Sequence, residues 1–401
     1  MFNYIINGSI TNVKGIKAAG IHCGIKKKKK DLALIVSDYP ATVTGTFTLN
    51  KVKAAPLLVS EKVIEKNKKV RAVLINSGNA NACTGEKGLE DALEIQSYCA
   101  EKLGFNSGEI LVSSTGVIGE YLNVPVYKKG INEIVTKLSD ENGIDAAEAI
   151  MTTDLHKKHF AVKINLPKGE VIIGGICKGS GMIMPNMATM LAFLATDAEI
   201  ESSFLKEILS ESVNKSFNRI SVDGETSTND MVTLMANGAS KIKIEKDTED
   251  SGIFKNALLD LTIKMAKEIV ADGEGATKLI TINVLNAESE SDANKVAKSL
   301  AISPLVKTAI YGNDANWGRI ISAAGNSGAN FDPKNISISF DDLLVLAPNY
   351  EILLDEEAAL KKLNKKEIEI NIDLSAGDKS STWWTCDYSE NYIKINSAYR
   401  S

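Results

Sequence analysis

Lys178-Gly179-Ser180-Gly181-Met182-Ile183-Met184-Pro185-Asn186-Met187-Ala188-Thr189-Met190-Leu191 is the stretch on which the architecture and chemistry of this chain turn. It opens on glycines, is apolar along most of its length, and sets one hydroxyl residue, Thr189, directly behind the small Ala188. The wider window 171–195 carries a single formal charge, Lys178, and has the length of a bilayer span. Gly174, Gly175, Gly179, Gly181 and Pro185 interrupt it. A spanning helix wants about 20 mostly apolar residues, and a lysine inside one is costly. Buried backbone around a site is the better reading.

Taken by residue type, Thr189 reads as a buried-strand hydroxyl bonded to backbone. A second reading uses chemistry that needs no histidine. A threonine hydroxyl is a poor nucleophile near neutrality unless a base sits beside it. An N-terminal threonine carries its own base, because a free α-amine titrates at about 7.7–8.0, close to the working pH where a general base is most effective. For that, the chain must be cut between Ala188 and Thr189. The Thr189 hydroxyl would attack the Ala188 carbonyl, and water would open the resulting ester.

On the N-terminal side, the runs 32–37 and 71–76 read as strands. Residues 87–103 place Leu89, Ala92, Leu93, Ile95, Cys99, Ala100 and Leu103 at helical spacing, with Gly104 as a stop. Residues 109–113 read as a strand running into the turn Ser114-Thr115-Gly116. Helices are expected over 124–139 and 144–150, and a hairpin over 160–173 around Pro167-Lys168-Gly169. On the C-terminal side, 202–217 and 252–271 read as helices. Residues 220–223 and 231–236 read as strands flanking the polar loop 224–230. The last third is read as strand-rich, at 279–285, 336–340, 367–372 and 392–396. There is no fixed-period repeat and no long linker. Clustered strands with intervening helices give a layered α+β fold.

Composition excludes several classes. The chain of 401 residues is long enough to bury a core without disulfides or structural metal. A formal net charge of −5 argues against a nucleic-acid binder. The one basic block, Lys26 to Lys30, reads as a solvated loop, with RNA or an acidic partner as the lesser alternative. Cys23, Cys83, Cys99, Cys177 and Cys386 are odd in number and lack a Cys-x-x-Cys pair, which fits free thiols in a reducing compartment. Met1 to Gly15 has no secretory pattern, so a cytoplasmic location is expected.

Three familiar motifs fail. Gly174-x-x-x-x-Gly179 is followed by Ser180 and Gly181 where a phosphate loop needs lysine and a hydroxyl residue. No Gly-x-Ser-x-Gly nucleophile elbow occurs. His156 and His159 are three apart and lack the following glutamate of a zinc protease, so they are read as exposed beside Lys157 and Lys158. No metal site is expected.

Seven strings are similar to the ornithine acetyltransferase (ArgJ) family, in the family's order and across nearly the whole chain. They are Lys178 to Leu191; Ser113-Ser114-Thr115-Gly116-Val117-Ile118-Gly119; Asn76 to Gly85; Met151-Thr152-Thr153-Asp154; Val222 to Asp230; Asp272 to Lys278; and Gly312 to Arg319. The resemblance implies an αββα-type sandwich of the N-terminal-nucleophile kind, shared with DmpA-like aminopeptidases. It implies self-cleavage into residues 1–188 and 189–401, the latter with a C-terminal subdomain from about 280. It further implies Thr189 as nucleophile and Thr115 and Gly116 as the oxyanion hole. By the same match Thr153, Lys178, Thr189, Glu274, Asn396 and Ser401 bind substrate. The family often ends in threonine, so Ser401 is a departure that keeps the hydroxyl.

The reaction so implied is ping-pong transfer of acetyl from N2-acetylornithine to glutamate, without a cofactor, in a heterotetramer of two α and two β chains. Some members also take acetyl from acetyl-CoA. Two alternatives stay open at the level of sequence. One is an N-terminal-nucleophile amidohydrolase that opens the acyl-threonine with water. The other is an uncleaved, non-catalytic amino-acid-binding protein.

Overall fold

The computed structural model of the protein describes residues 1–67, 69–184 and 190–398. Ala188, Thr189 and Ser401 therefore lie outside the described residues. The chain divides into two compact units: residues 1–218 with 225–265, and residues 219–224 with 266–399. The helix Glu249–Ala271 carries the chain from the first to the second.

The first unit is built on a nine-stranded mixed sheet. Its strands run in the order Phe2–Tyr4, Lys158–Leu166, Gly169–Lys178, Leu191–Thr196, Met231–Ala236, Leu32–Phe47, Lys69–Asn79 and Ile110–Val117, with Ile16–Ile21 also paired to Leu32–Phe47. Most neighbours are antiparallel. Two pairs are parallel: Leu191–Thr196 with Met231–Ala236, and Lys69–Asn79 with Ile110–Val117.

Leu32 to Val36 explains the layering. All five residues are buried, and successive strand residues point to opposite faces. Ala33 and Ile35 join one apolar cluster, with Ala146, Ala147 and Ile150 of the helix Gly143–Ala149 and its cap. Leu32, Leu34 and Val36 join another, with residues of the helices Ala55–Asn67, Gly85–Leu103 and Val124–Ile134. A strand buried on both faces has to be a continuous apolar run, and this one is.

The second unit has a seven-stranded mixed sheet, ordered Ile220–Ser221, Lys379–Cys386, Leu279–Ala287, Glu367–Asp373, Ser337–Phe340, Leu343–Ala347 and Glu351–Ile352. Glu367–Asp373 alternates between buried and more exposed residues, so here one face carries the core. Ile280, Ile282, Ile368, Ile370 and Ile372 pack with Ala293, Val296, Leu300, Ile310 and Ile320 from three helices, Glu290–Ala301, Pro304–Tyr311 and Trp317–Gly325. The fold is the layered α+β arrangement expected, with mixed strands in both sheets.

Two local expectations are overturned. Residues 392–396 are not a strand but lie in the helix Glu390–Ala398. Tyr392 stacks on Tyr388 four residues back, with ring centroids 5.0 Å apart, and Ser389 Oγ accepts from Asn391 N at the helix start. Local i,i+4 contact and a capping hydroxyl outweigh the β-branched composition of that stretch. The last third also holds four further helices, including Glu356–Leu363, which the strand-rich reading passed over. Among the described residues no helix is long and apolar enough to cross a membrane, and no group of side chains is set to hold a metal ion.

Candidate active site

The parallel pair Lys69–Asn79 and Ile110–Val117 sets Ser77 opposite Thr115 and Gly78 opposite Gly116. Gly116 has φ +134° and Gly78 φ +105°. A Cβ on Gly116 would stand 2.4 Å from the Gly78 carbonyl carbon, so only glycine lets the strands meet there. Polar bonds lock the approach. Ser114 Oγ donates to Asn76 Oδ1 at 2.5 Å, and Asn229 Nδ2 donates to Ser114 O at 2.8 Å and to Ala80 O at 2.7 Å.

Lys178 ends the strand Gly169–Lys178, paired with Leu191, and is buried. Its Nζ lies 3.5 Å from Thr115 Oγ1. Thr115, Lys178, Met190, Leu191, Ser227, Asn229 and Asp230 line one small pocket. Of the residues named by the resemblance, Thr115, Gly116 and Lys178 are therefore neighbours.

Asp154 anchors the far side of this cluster. It is 1% exposed. Its Oδ1 accepts from Lys158 Nζ at 2.8 Å and Gly179 N at 2.9 Å, and its Oδ2 from Thr152 N at 3.0 Å. Burial pushes its carboxyl up, but Lys158, Lys178 and the Gly179 N–H together outweigh burial and hold it below the ordinary carboxylate value. Asp154 thus ties the turn holding Thr153, which is half-buried, to the glycine loop after Lys178. The reading of the histidine segment as exposed holds for His156. It fails for His159, whose Nδ1 lies 2.9 Å from Gly8 O, and the neighbouring Lys158 is buried against Asp154.

The loop 226–230 grips both described flanks of residues 185–189. Thr226 Oγ1 donates to Met184 O at 3.2 Å, and Ile183 bridges to Thr226. Asp230 Oδ1 accepts from Met190 N at 2.9 Å. The loop is itself held by Thr48 Oγ1, donating to Ser227 O at 2.8 Å, and by Asn50 Nδ2, donating to Thr226 O at 2.9 Å. Asp230 is 1% exposed, and among the described residues its Oδ2 has no hydrogen-bond partner within ordinary distance and angle. Burial raises its carboxyl well above the ordinary value, against the opposing pull of Thr48, the Met190 N–H and Lys178.

In the second unit, Glu274 and Asn396 are brought together. Glu274 is buried, and its Oε2 accepts from Asn396 Nδ2 at 2.9 Å. Gly275 has φ +71°, and a Cβ there would meet Tyr392 N at 2.4 Å, so the turn sits hard against the C-terminal helix. Asp387 Oδ1 accepts from Thr277 N at 2.8 Å and Lys278 N at 3.0 Å and fixes the other end of that turn.

Sequence reasoning assigned no role to Asp154, Asn229 or Asp230. Asp154 carried one signal, a lysine four residues on. Asp230 carried only its place in a polar loop before an apolar strand.

The ArgJ family model matches residues 17–401. The arginine biosynthesis bifunctional protein ArgJ of Caldanaerobacter subterraneus subsp. tengcongensis is 46% identical over 99% of this chain and 100% of its own length. The protein of that name from Bacillus thuringiensis subsp. konkukian is 45% identical over 98% of this chain and 97% of its own. A crystal structure of arginine biosynthesis bifunctional protein ArgJ from Bacillus halodurans is 43% identical, covers 47% of this chain and 98% of that chain, and superposes with a TM-score of 0.45.

Proposed function

The chain belongs to the ArgJ family of arginine-biosynthesis enzymes, and from that premise we propose that it is a self-cleaving N-terminal-threonine acetyltransferase, moving acetyl from N2-acetylornithine to glutamate. Cleavage between Ala188 and Thr189 frees the Thr189 amine, which takes the proton of its own hydroxyl. The oxygen attacks the acetyl carbonyl, ornithine leaves, and the acetyl-threonine ester passes its acetyl group to the glutamate amine. No cofactor carries the group. The oxyanion formed in each half is held by the Thr115 hydroxyl and the Gly116 N–H, donors whose positions are fixed before substrate arrives. Lys178 offers a cation to a carboxylate. Glu274, with Asn396, offers an anion to the ornithine ammonium. Thr153 and Ser401 complete the binding set by family match.

The observation that supports this reading most is the grip of one loop on both flanks of the scissile region, through Thr226 and Asp230, beside the Thr115–Lys178 pair. Orientation of attacking and attacked groups is what an intramolecular cleavage needs. The relatives' names say bifunctional, and acetylation of glutamate from acetyl-CoA is the second activity the proposal carries. We place the enzyme in the cytoplasm as a heterotetramer of two cleaved precursors.

Intact mass and N-terminal sequencing test the proposal: two fragments are expected, the second beginning at Thr189, with acetyl transfer dependent on glutamate. Thr189→Ala should abolish processing and transfer together. A fully active single chain would overturn the reading, and acetyl release independent of glutamate would mark a hydrolase.

A further inference from the structure

Lys26 opens the lysine block that sequence reading left to solvent, and the structure separates it from its neighbours. Lys27, Lys28 and Lys29 are exposed, whereas Lys26 is half-buried. The connection between the strands Ile16–Ile21 and Leu32–Phe47 is wrapped around Asp31, which is fully buried. Asp31 Oδ1 accepts from Cys23 N at 2.7 Å, and Oδ2 accepts from Gly24 N at 3.2 Å and Lys26 N at 2.9 Å. Three backbone donors on one carboxylate fix the loop and the point from which the Lys26 side chain departs.

From there the stem runs over Gly78, the partner of Gly116. A Cβ on Gly78 would meet Lys26 Cγ at 2.8 Å. The ammonium then donates to Met151 O at 2.9 Å, immediately before Thr152-Thr153-Asp154. An ammonium has three donors, and among the described residues Met151 O is the only acceptor that Lys26 Nζ meets. Burial lowers the amine to about 8, with Lys29 and Lys178 acting the same way and Asp31 and Asp154 opposing. A half-desolvated cation with two donors that no described residue takes up, within electrostatic reach of the buried Lys178 and over the strand paired with Thr115–Gly116, is matched to an anion.

We propose that Lys26 is a second carboxylate-binding residue of this site, and that with Lys178 it selects an acceptor carrying two carboxylates. The inference rests on the acyl-transfer reading and deepens it. The donor brings one carboxylate and an amide. Glutamate as acceptor brings two carboxylates, so a pair of cations distinguishes it from a singly charged analogue such as glutamine. A charge at the acceptor's far end then contributes to binding only when both lysines are present.

The test uses the full-length enzyme after its transfer activity with N-acetylornithine and glutamate has been measured. A wild type without transfer would fail the underlying reading and leave nothing to compare, a result separate from any behaviour of the variants. Lys26→Met keeps the stem over Gly78 and removes the charge. Expected are a rise of about tenfold or more in KM for glutamate and an equal fall in the preference for glutamate over glutamine. Both changes should exceed any change in the burst of ornithine release that reports acetylation of Thr189. Lys26→Arg should recover part of the preference. The inference is overturned if the glutamate-to-glutamine preference of Lys26→Met stays within about twofold of wild type, or if ornithine release falls as far as acceptor binding does.

Discussion

Replacing Asp154 by Ala should be the most damaging single polar change among those considered in the first unit. Its side chain and that of Lys158 are 0% and 2% exposed, and the ion pair between them is 2.8 Å long. Removing the carboxylate breaks the buried pair from one side, which typically costs about 3–5 kcal/mol. The Thr152 and Gly179 N–H groups lose their acceptor at the same time. For a unit of this size each kcal/mol lowers Tm by about 2–4 °C, so a fall of about 6–20 °C is expected in thermal unfolding followed by circular dichroism. A double variant, Asp154→Leu with Lys158→Met, removes both charges at similar volume and should recover more than half of the loss. The pH dependence follows from the direction of the shift. The folded carboxyl sits below its unfolded value of about 3.9, so its stabilisation is fully present above that value. It disappears as pH falls through the folded value. The gap between wild type and Asp154→Ala should hold from neutrality down to about pH 5 and close in stronger acid. A single variant within about 1 kcal/mol of wild type, or a double variant no more stable than the single one, would refute the reasoning.

Asp230 behaves in the opposite sense. Its carboxyl is raised, so the native state loses stability as pH rises from the unfolded value towards the folded one. Asp230→Asn keeps an acceptor for Met190 N and should melt at or above wild type at neutral pH, whereas Asp230→Ala should lose about 1–3 kcal/mol; paired melts from pH 5 to 8 decide it. Gly116→Ala places a Cβ 2.4 Å from Gly78 backbone at φ +134°. It should reduce acetyl transfer at least tenfold, read as kcat at saturating substrate, and lower stability by about 1–3 kcal/mol.

Periodicity marked the helix Gly85–Leu103, because its apolar positions recur along the chain itself. Apolar runs marked residues 32–37 of the strand Leu32–Phe47 and the strand Met231–Ala236, because strand segments buried on both faces have little room for polar side chains. The helix at 390–398 was hidden behind isoleucines whose β preference is a weak prior, and the contacts that decide it are the Tyr388–Tyr392 stack and the turn at Gly275.

Sequence alone carried the proposal at Thr189, where a cut after Ala188 would give the hydroxyl its own amine as a base. Sequence also determined the family, through short strings that hold their order over the whole chain. Tertiary structure decided which charged side chains meet one another and which loops they hold. Asp154 meets Lys158 and Gly179, Asp230 meets Met190, and Lys26 leaves its exposed neighbours for Gly78 and Met151. Ionisable side chains look alike in a sequence, and their state depends on burial and on partners brought up from distant positions, which only the folded chain specifies.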